Sequence, residues 1–215
     1  ITKVMVEEAG GISQADAVLV YHQRYAKDPY GELLGITSYF NDTYPLFVKP
    51  ANAGSSVGIS KVKNAEELPK ALETAFAEDD KVLVEEAITG REIEVAVLGN
   101  EEPEASCIGE IFAANEFYDY NAKYENDASK TAVVTDLDPK KEQEIKDTAV
   151  KIYRIMGCRG LARVDFFLKD SGRVVFNEIN TLPGFTNISM YPQLWEASGI
   201  PYPDLIDRLI VLALE

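Results

Sequence analysis

The feature that most constrains the fold is a pair of apolar segments on either side of a tight-turn signal. Residues 161–168 and 173–179 are rich in Val, Phe and Ile, and Asp170-Ser171-Gly172 lies between them. Short apolar runs joined by Asp and Gly are typical of a β-hairpin. The sequence therefore predicts two antiparallel strands at this point of the chain.

Polar side chains recur on one face of this predicted hairpin. Strand alternation places Arg163 with Asp165, and Glu178 with Asn180, on a common face. A turn at residues 171–172 would put Asp165 opposite Glu178, to within one residue. Facing carboxylates repel each other unless a cation lies between them, and oxygen ligands suit Mg²⁺ or Mn²⁺. The alternative is a solvated polar face on an edge hairpin.

The rest of the chain alternates between strand and helix patterns. The order of the elements predicts an α+β fold with mostly antiparallel sheets. We expect a connector up to residue 43 with one strand at 17–21, and a long polar loop at 115–137. Helices are predicted at 2–9, 64–77, 138–157 and 203–215, and further strands at 46–50, 59–62, 81–86, 91–98 and 105–113.

Two of the predicted strands end in residues suited to a nucleotide. Lys49 precedes a loop of small residues, Gly54-Ser55-Ser56, whose backbone amides could approach phosphate oxygens. Glu85 and Glu86 end another strand and lead to Glu92, which could bind a ribose hydroxyl. The alternatives are an ordinary hairpin turn and a plain acidic strand end.

The composition excludes several classes of function. A net charge of −15 argues against nucleic-acid binding, because a duplex needs a broad basic surface. No apolar run approaches the roughly 20 residues of a membrane span, so we expect a cytoplasmic protein. Cys107 and Cys158 show no metal or catalytic spacing, and we expect reduced thiols.

Taken in order, these segments resemble the D-alanine-D-alanine ligases of the ATP-grasp superfamily, and the match runs across essentially all 215 residues. The resemblance implies two α+β subdomains that sandwich the nucleotide. It implies a connector at 1–43, a central subdomain at 44–99 and a C-terminal subdomain at 100–215, with the loop at 115–137 as a lid. The motifs are the Lys49 loop, Val84-Glu85-Glu86 with Gly90-Arg91-Glu92, Phe117-Tyr118-Asp119-Tyr120 with Lys123-Tyr124, Arg163-Val164-Asp165, and residues 177–186.

The resemblance also implies roles for individual residues. The ATP-binding residues would be Lys49, Ser55, Ser56, Glu85, Glu86, Ile88, Glu92, Phe117, Lys123, Phe167 and Asn177. Two divalent cations, Mg²⁺ or Mn²⁺, would be held by Asp165, Glu178 and Asn180. Arg163 and Gly184 would stabilise an oxyanion, Ser55 and Tyr124 would complete the catalytic set, and the second D-amino acid would meet Arg163, Gly184, Ser189 and Met190.

The reaction implied is the ATP-dependent joining of two D-alanines through a D-alanyl phosphate, for peptidoglycan precursor synthesis. Lys123-Tyr124 resembles the lid of ligases that make D-alanyl-D-alanine, whose tyrosine bonds a loop serine, here Ser55. A D-Ala-D-Ser or D-Ala-D-lactate ligase and a non-catalytic nucleotide-binding fragment are the alternatives. Family members are commonly dimers, so a homodimer is possible.

Three features depart from the family pattern. A further phosphate-binding lysine and the N-terminal domain that orients the first D-alanine are expected upstream of Ile1. Val134-Thr135 stands where the lid normally has Pro-Ala. We therefore expect the chain alone to bind nucleotide but to be poorly active.

Overall fold

The computed structural model describes residues 2–54, 56–112, 130–186 and 188–215. These residues form two compact units. One consists of residues 2–14 with the described residues of Thr89–Phe112 and Lys130–Glu215, and the other consists of the described residues of Ala15–Ile88. None of the helices in the described part of the chain is both long and apolar enough to cross a membrane.

The unit formed by Ala15–Ile88 is a four-stranded antiparallel sheet with helices on one face. The strand order is β2 (Ala17–Tyr21), β5 (Lys81–Glu86), β3 (Leu46–Pro50) and β4 (Ser60–Val62). In β3, Leu46 and Val48 are buried beneath the helices, so alternation puts Phe47 and Lys49 on the opposite face. The remaining elements are α2 (His22–Lys27), α3 (Pro29–Tyr39), a 3₁₀ turn (Ala65–Glu67) and α4 (Leu68–Phe76).

Helices α2 and α3 correct the expectation of an irregular connector up to residue 43. Asp28 caps α3 by accepting a hydrogen bond from the Gly31 amide at 3.0 Å, and Pro29 occupies the first turn. The sequence did not predict α3, because Tyr, Gly and Thr interrupt the short apolar stripe around Ile36. Residues 15–43 therefore belong to the four-stranded unit, whereas the central subdomain was predicted to begin at residue 44.

The second unit is a six-stranded sheet in the order β1 (Ser13–Gln14), β10 (Val174–Asn180), β9 (Gly160–Leu168), β6 (Arg91–Gly99), β7 (Glu104–Phe112) and β8 (Lys130–Val133). Only β1 and β10 run parallel among the described strands, so the predicted α+β fold with mostly antiparallel pairing is confirmed. The helices described in this unit are α1 (Thr2–Ala9), α5 (Pro139–Ile155), α6 (Met190–Ala197) and α7 (Tyr202–Leu214).

Each face of this sheet carries its own apolar core. Helices α1 and α5 cover one face, where Val95, Val164 and Phe166 are buried. On the other face, α6 and α7 pack over Ala96 and Leu98. Apolar residues therefore dominate the first face, which also carries the ion pair of Arg91 with Glu110, while the second face combines an apolar end with the polar residues described below.

Two boundaries differ from the sequence analysis. Strand β8 pairs with β7 inside the stretch 115–137, so the expectation of a continuous loop there is wrong for residues 130–133. The units divide at 88/89 rather than at 99/100, because β6 pairs with both β7 and β9.

Helix α6 was not predicted, because Pro192 lies inside it.

Candidate active site

Acidic residues form a row across three strands of the six-stranded sheet. Strand pairing places Asp165 on β9 opposite Glu94 on β6 and opposite Glu178 on β10. This confirms the predicted pairing of Asp165 with Glu178. Asp165 and Glu94 are only 8% and 4% exposed, so water screens their charges poorly.

Arg163 provides the positive charge in this row. Its Nε and Nη2 donate to the two carboxylate oxygens of Asp165 at 2.8 and 2.7 Å, and Nε lies 3.2 Å from Glu94 Oε2. Burial disfavours the charged guanidinium, but Asp165, Glu94 and Glu178 outweigh it and hold the pKa of Arg163 above its ordinary value. The arginine is therefore charged at every accessible pH.

The donor set suits a hard divalent cation. Three carboxylates face one guanidinium, which leaves two negative charges in excess in this group. Asn180 donates through Nδ2 to Asp165 at 3.0 Å and to Glu178 at 3.4 Å, so a half-turn of its amide would add a third oxygen ligand. Within the described ranges, no three His, Cys, Asp or Glu side chains form a cation-binding group by themselves.

Other predicted nucleotide residues lie close to this row. Glu92 pairs with Phe167 on the same face of the sheet, one step along the strands from Glu94. Asn177 is the extra residue of a β-bulge in β10, between Phe176 and Glu178. The bulge brings Glu178, rather than Asn177, opposite Asp165.

Lys49 and Glu85 meet on the sheet of the other unit. The Lys49 ammonium forms an ion pair with the carboxylate of Glu85, and Glu85 is only 4% exposed. Pairing of β3 with β5 brings them together, since Phe47 lies opposite Glu85 and Lys49 is two residues further along the strand. The two predicted nucleotide residues therefore form one local site on the face opposite the core.

The other predicted residues of this unit have different surroundings. Glu86 accepts a hydrogen bond from the Asp16 amide at 3.0 Å, so its carboxylate holds the end of β2 against β5. Ser56 has a φ of +61°, an unusual conformation for a residue other than glycine. Ile88 follows directly after β5.

The predicted site for the second amino acid is a tight turn before α6. Ser189 Oγ accepts a hydrogen bond from the Thr186 amide at 3.0 Å and lies 2.9 Å from Thr186 Oγ1. A side chain at Gly184 would lie 2.9 Å from Ser189 Oγ, so glycine lets the turn close. The Met190 side chain is buried in the core beneath α6, which leaves its backbone amide as the group that could bind a carboxylate.

Four predicted site residues lie outside the described residues: Ser55, Phe117, Lys123 and Tyr124. The two cysteines are free, and the Cys107 thiol donates to the Leu194 carbonyl oxygen at 3.3 Å. Burial raises the pKa of the Cys158 thiol.

Comparison with known proteins identifies the family. The family model described as "D-ala D-ala ligase C-terminus" matches residues 5–211. The chain belongs to this family. D-alanine–D-alanine ligase B of Clostridium tetani is 62% identical over 80% of this chain and 48% of its own length. D-alanine–D-alanine ligase of Acetivibrio thermocellus is 52% identical over 99% of this chain and 56% of its own length.

Solved structures of similar ligases share the fold. D-alanine-D-alanine ligase from Coxiella burnetii is 41% identical with a TM-score of 0.83, over 99% of this chain and 55% of that one. VanG D-Ala:D-Ser ligase from Enterococcus faecalis is 39% identical with a TM-score of 0.82, over 98% and 60%. The chain thus spans about half the length of the relatives it matches.

In this member of the ligase family, sequence reasoning missed Glu94. The sequence did contain a signal for Glu94, because Glu92 and Glu94 alternate with apolar residues in the predicted strand 91–98 and therefore share one face of it. Its importance depends on the pairing of β6 with β9, which the sequence does not show.

Proposed function

We propose that this chain is the nucleotide-binding and catalytic part of a ligase that joins two D-alanines while ATP is split to ADP and phosphate. The observation that carries the proposal is the pairing of Asp165 with Glu178, beside Arg163 and Asn180, in a chain of the ligase family. Two apposed acids with an arginine suit phosphoryl transfer, in which negative charge must be offset.

The proposed reaction has two steps. A carboxylate oxygen of the first D-alanine attacks the γ-phosphorus of ATP, and the bond from phosphorus to ADP breaks. The amine of the second D-alanine then attacks the acyl carbon, a proton leaves the nitrogen, and phosphate departs. Arg163 is charged at every accessible pH and would stabilise the oxyanion of the second step, together with the Gly184 amide.

The residues of the four-stranded unit would bind the nucleotide. Lys49 would bind a phosphate, and Glu85 holds its ammonium in place. Glu85 and Ile88 would frame the adenine, and Glu92 would bind the ribose. Ser56, Phe167 and Asn177 are proposed as further contacts.

Asp165, Glu178 and Asn180 would hold one or two divalent cations, Mg²⁺ or Mn²⁺. When bound, such cations neutralise phosphate charge and orient the phosphates for in-line attack. Until then Arg163 and the Asn180 amide offset the charge of Asp165.

D-alanine is the proposed second substrate, because Lys123-Tyr124 matches the dipeptide-forming pattern. D-serine is the second candidate, since a D-Ala:D-Ser ligase is among the similar structures. Rates with D-alanine, D-serine and D-lactate as the second substrate would separate these specificities, and a higher kcat/KM for D-serine would favour the second candidate.

The proposal is tested by exchanging one acid of the row. Glu178→Gln keeps the side-chain volume but removes the charge, so Mg²⁺-dependent binding of a non-hydrolysable ATP analogue should weaken at least about tenfold. Titration calorimetry with and without Mg²⁺ measures this, and circular dichroism should show an unchanged fold.

Glu104→Gln, at the exposed start of β7, is the matched control and should bind like the unmodified chain. Unchanged Mg²⁺ dependence in Glu178→Gln would contradict the assignment of the cation ligands.

A further inference from the structure

Glu94 has no role in the function proposed above, yet it lies in the centre of the sheet and is almost fully buried. Its side chain is 5% exposed, and Oε2 is 3.2 Å from Arg163 Nε. The residue opposite it on β7 is Gly109, which has no side chain. An ionised carboxylate is costly to bury unless a positive partner offsets its charge, so the contact with Arg163 calls for an explanation.

Arg163 is shared between two acids. In this structure Asp165 accepts hydrogen bonds from both Nε and Nη2 of Arg163, while Glu94 contacts Nε from the neighbouring strand. The proposed function needs the oxygens of Asp165 for a cation. A cation bound there would compete with the guanidinium for the same carboxylate, and Arg163 would lose its two shortest hydrogen bonds.

We propose that Glu94 is a positioning residue, which holds Arg163 by its Nε when the Asp165 oxygens bind a cation. The inference rests on the proposed function. Glu94 lies opposite Asp165 in the pairing of β6 with β9, so both acids can reach the same guanidinium. Holding Nε from one side leaves the two terminal nitrogens to face an oxyanion.

The geometry distinguishes this role from a purely structural one. In the absence of a cation Asp165 accepts hydrogen bonds from Nε and Nη2 of Arg163 at 2.8 and 2.7 Å, so the 3.2 Å contact with Glu94 is then the longer and weaker one. With a cation bound, the contact with Glu94 becomes the main restraint on the guanidinium. Loss of Glu94 should therefore matter most in the cation-bound state.

The first test compares Glu94→Gln with the unmodified chain by following hydrogen exchange at Arg163 Nε by NMR. The Arg163→Lys variant assigns the signal. We expect slow exchange in both proteins without Mg²⁺. With Mg²⁺ and a non-hydrolysable ATP analogue, exchange should stay slow in the unmodified chain and become at least about tenfold faster in Glu94→Gln.

The second test measures turnover in a version extended upstream to the length of the relatives. Glu94→Gln should lower kcat by about 10- to 100-fold, because a misplaced oxyanion donor affects the transition state, while the KM for ATP changes less than about threefold. Glu94→Asp keeps the charge on a shorter side chain and should recover part of the lost kcat.

Glu110→Gln is the matched control. Glu110 is a similarly buried glutamate on the opposite face of the same sheet, and its partner is Arg91. Glu110→Gln should leave both the rate of hydrogen exchange at Arg163 Nε and kcat within about threefold of the unmodified protein.

Three results would overturn the proposal. In the first, Glu94→Gln behaves like the unmodified protein in both tests. In the second, its Arg163 exchange is equally fast with and without Mg²⁺, which would show a structural role only. In the third, the unmodified chain shows no Mg²⁺-dependent nucleotide binding. This third result would overturn the proposed function as well, whereas the first two would overturn only the role of Glu94.

Discussion

The ion pair between Arg91 and Glu110 is expected to contribute strongly to the stability of the six-stranded unit. Arg91 donates to both Glu110 oxygens, through Nε at 2.9 Å and Nη2 at 2.6 Å, in a bidentate pair. It also bonds both oxygens of Asp136, at 3.1 and 2.9 Å. Glu110 is only 8% exposed, so Arg91→Met would leave a buried carboxylate without this partner.

The structure sets the size of the effect. Removing one partner of a fully buried pair costs about 3–5 kcal/mol, but the Arg91 side chain is 32% exposed and solvent reduces that value. We expect the free energy of unfolding to fall by about 2–3 kcal/mol in Arg91→Met. Asp136 adds little, because its side chain is mostly exposed.

Trp195 provides the assay. It is the only tryptophan of the chain, is 2% exposed and lies in the same compact unit as Arg91. Its fluorescence during urea unfolding therefore reports the unfolding of this unit.

Two further variants test the reasoning. Arg91→Met with Glu110→Leu removes both charges and should return to within about 1 kcal/mol of the unmodified chain. Arg159→Met breaks an ion pair with Glu101 whose side chains are 55% and 85% exposed, and should cost less than about 1 kcal/mol. A strong contribution of this ion pair is refuted if Arg91→Met costs no more than Arg159→Met, or if the double variant is as unstable as Arg91→Met.

Two further perturbations have defined outcomes. The Tyr153 hydroxyl donates to the buried Gly99 carbonyl at 2.7 Å, so Tyr153→Phe should cost about 1–2 kcal/mol by the Trp195 assay, and no loss would contradict this. Burial raises the pKa of Asp79, but hydrogen bonds from the Lys81 amide and from Asn52 outweigh it and hold that pKa below its ordinary value. Asp79→Asn should therefore destabilise the chain at neutral pH. The difference in urea midpoint, followed by circular dichroism, should shrink as the pH falls below about 4, and a difference that grows with acidity would be inconsistent.

The sequence predicted the pairing of Asp165 with Glu178, although not for the complete reason. The turn closes with Lys169 N–H donating to the Arg173 carbonyl, and Phe166 pairs with Phe176. A regular continuation would have placed Asn177 opposite Asp165. The bulge at Asn177 shifts the register by one residue and restores the predicted pair.

Residues that depend on pairing between distant strands were harder to predict. Glu94 faces Arg163 only because β6 pairs with β9, and local alternation cannot reveal which strands are neighbours. The ion pair of Lys49 with Glu85 similarly needs β3 beside β5. Local patterns gave the strands and their faces, while the order of strands in the sheet determined which side chains meet.

Helices without a clear apolar stripe were missed for a local reason. Helix α3 is stabilised by its Asp28 cap and by Pro29 in its first turn. These short-range signals did not lead to a helix prediction, because the segment is rich in Tyr. Strand β8 is only four residues long, and its pairing with β7 defines it better than its own sequence does.

Phosphate release from ATP and Mg²⁺ tests the central proposal most directly. It should be measured with D-alanine, with L-alanine and with no amino acid, on this chain and on the version extended upstream. We expect release that depends on D-alanine in the extended protein and little turnover in this chain alone. Equal release under all three conditions, or none with D-alanine in the extended protein, would contradict the ligase assignment.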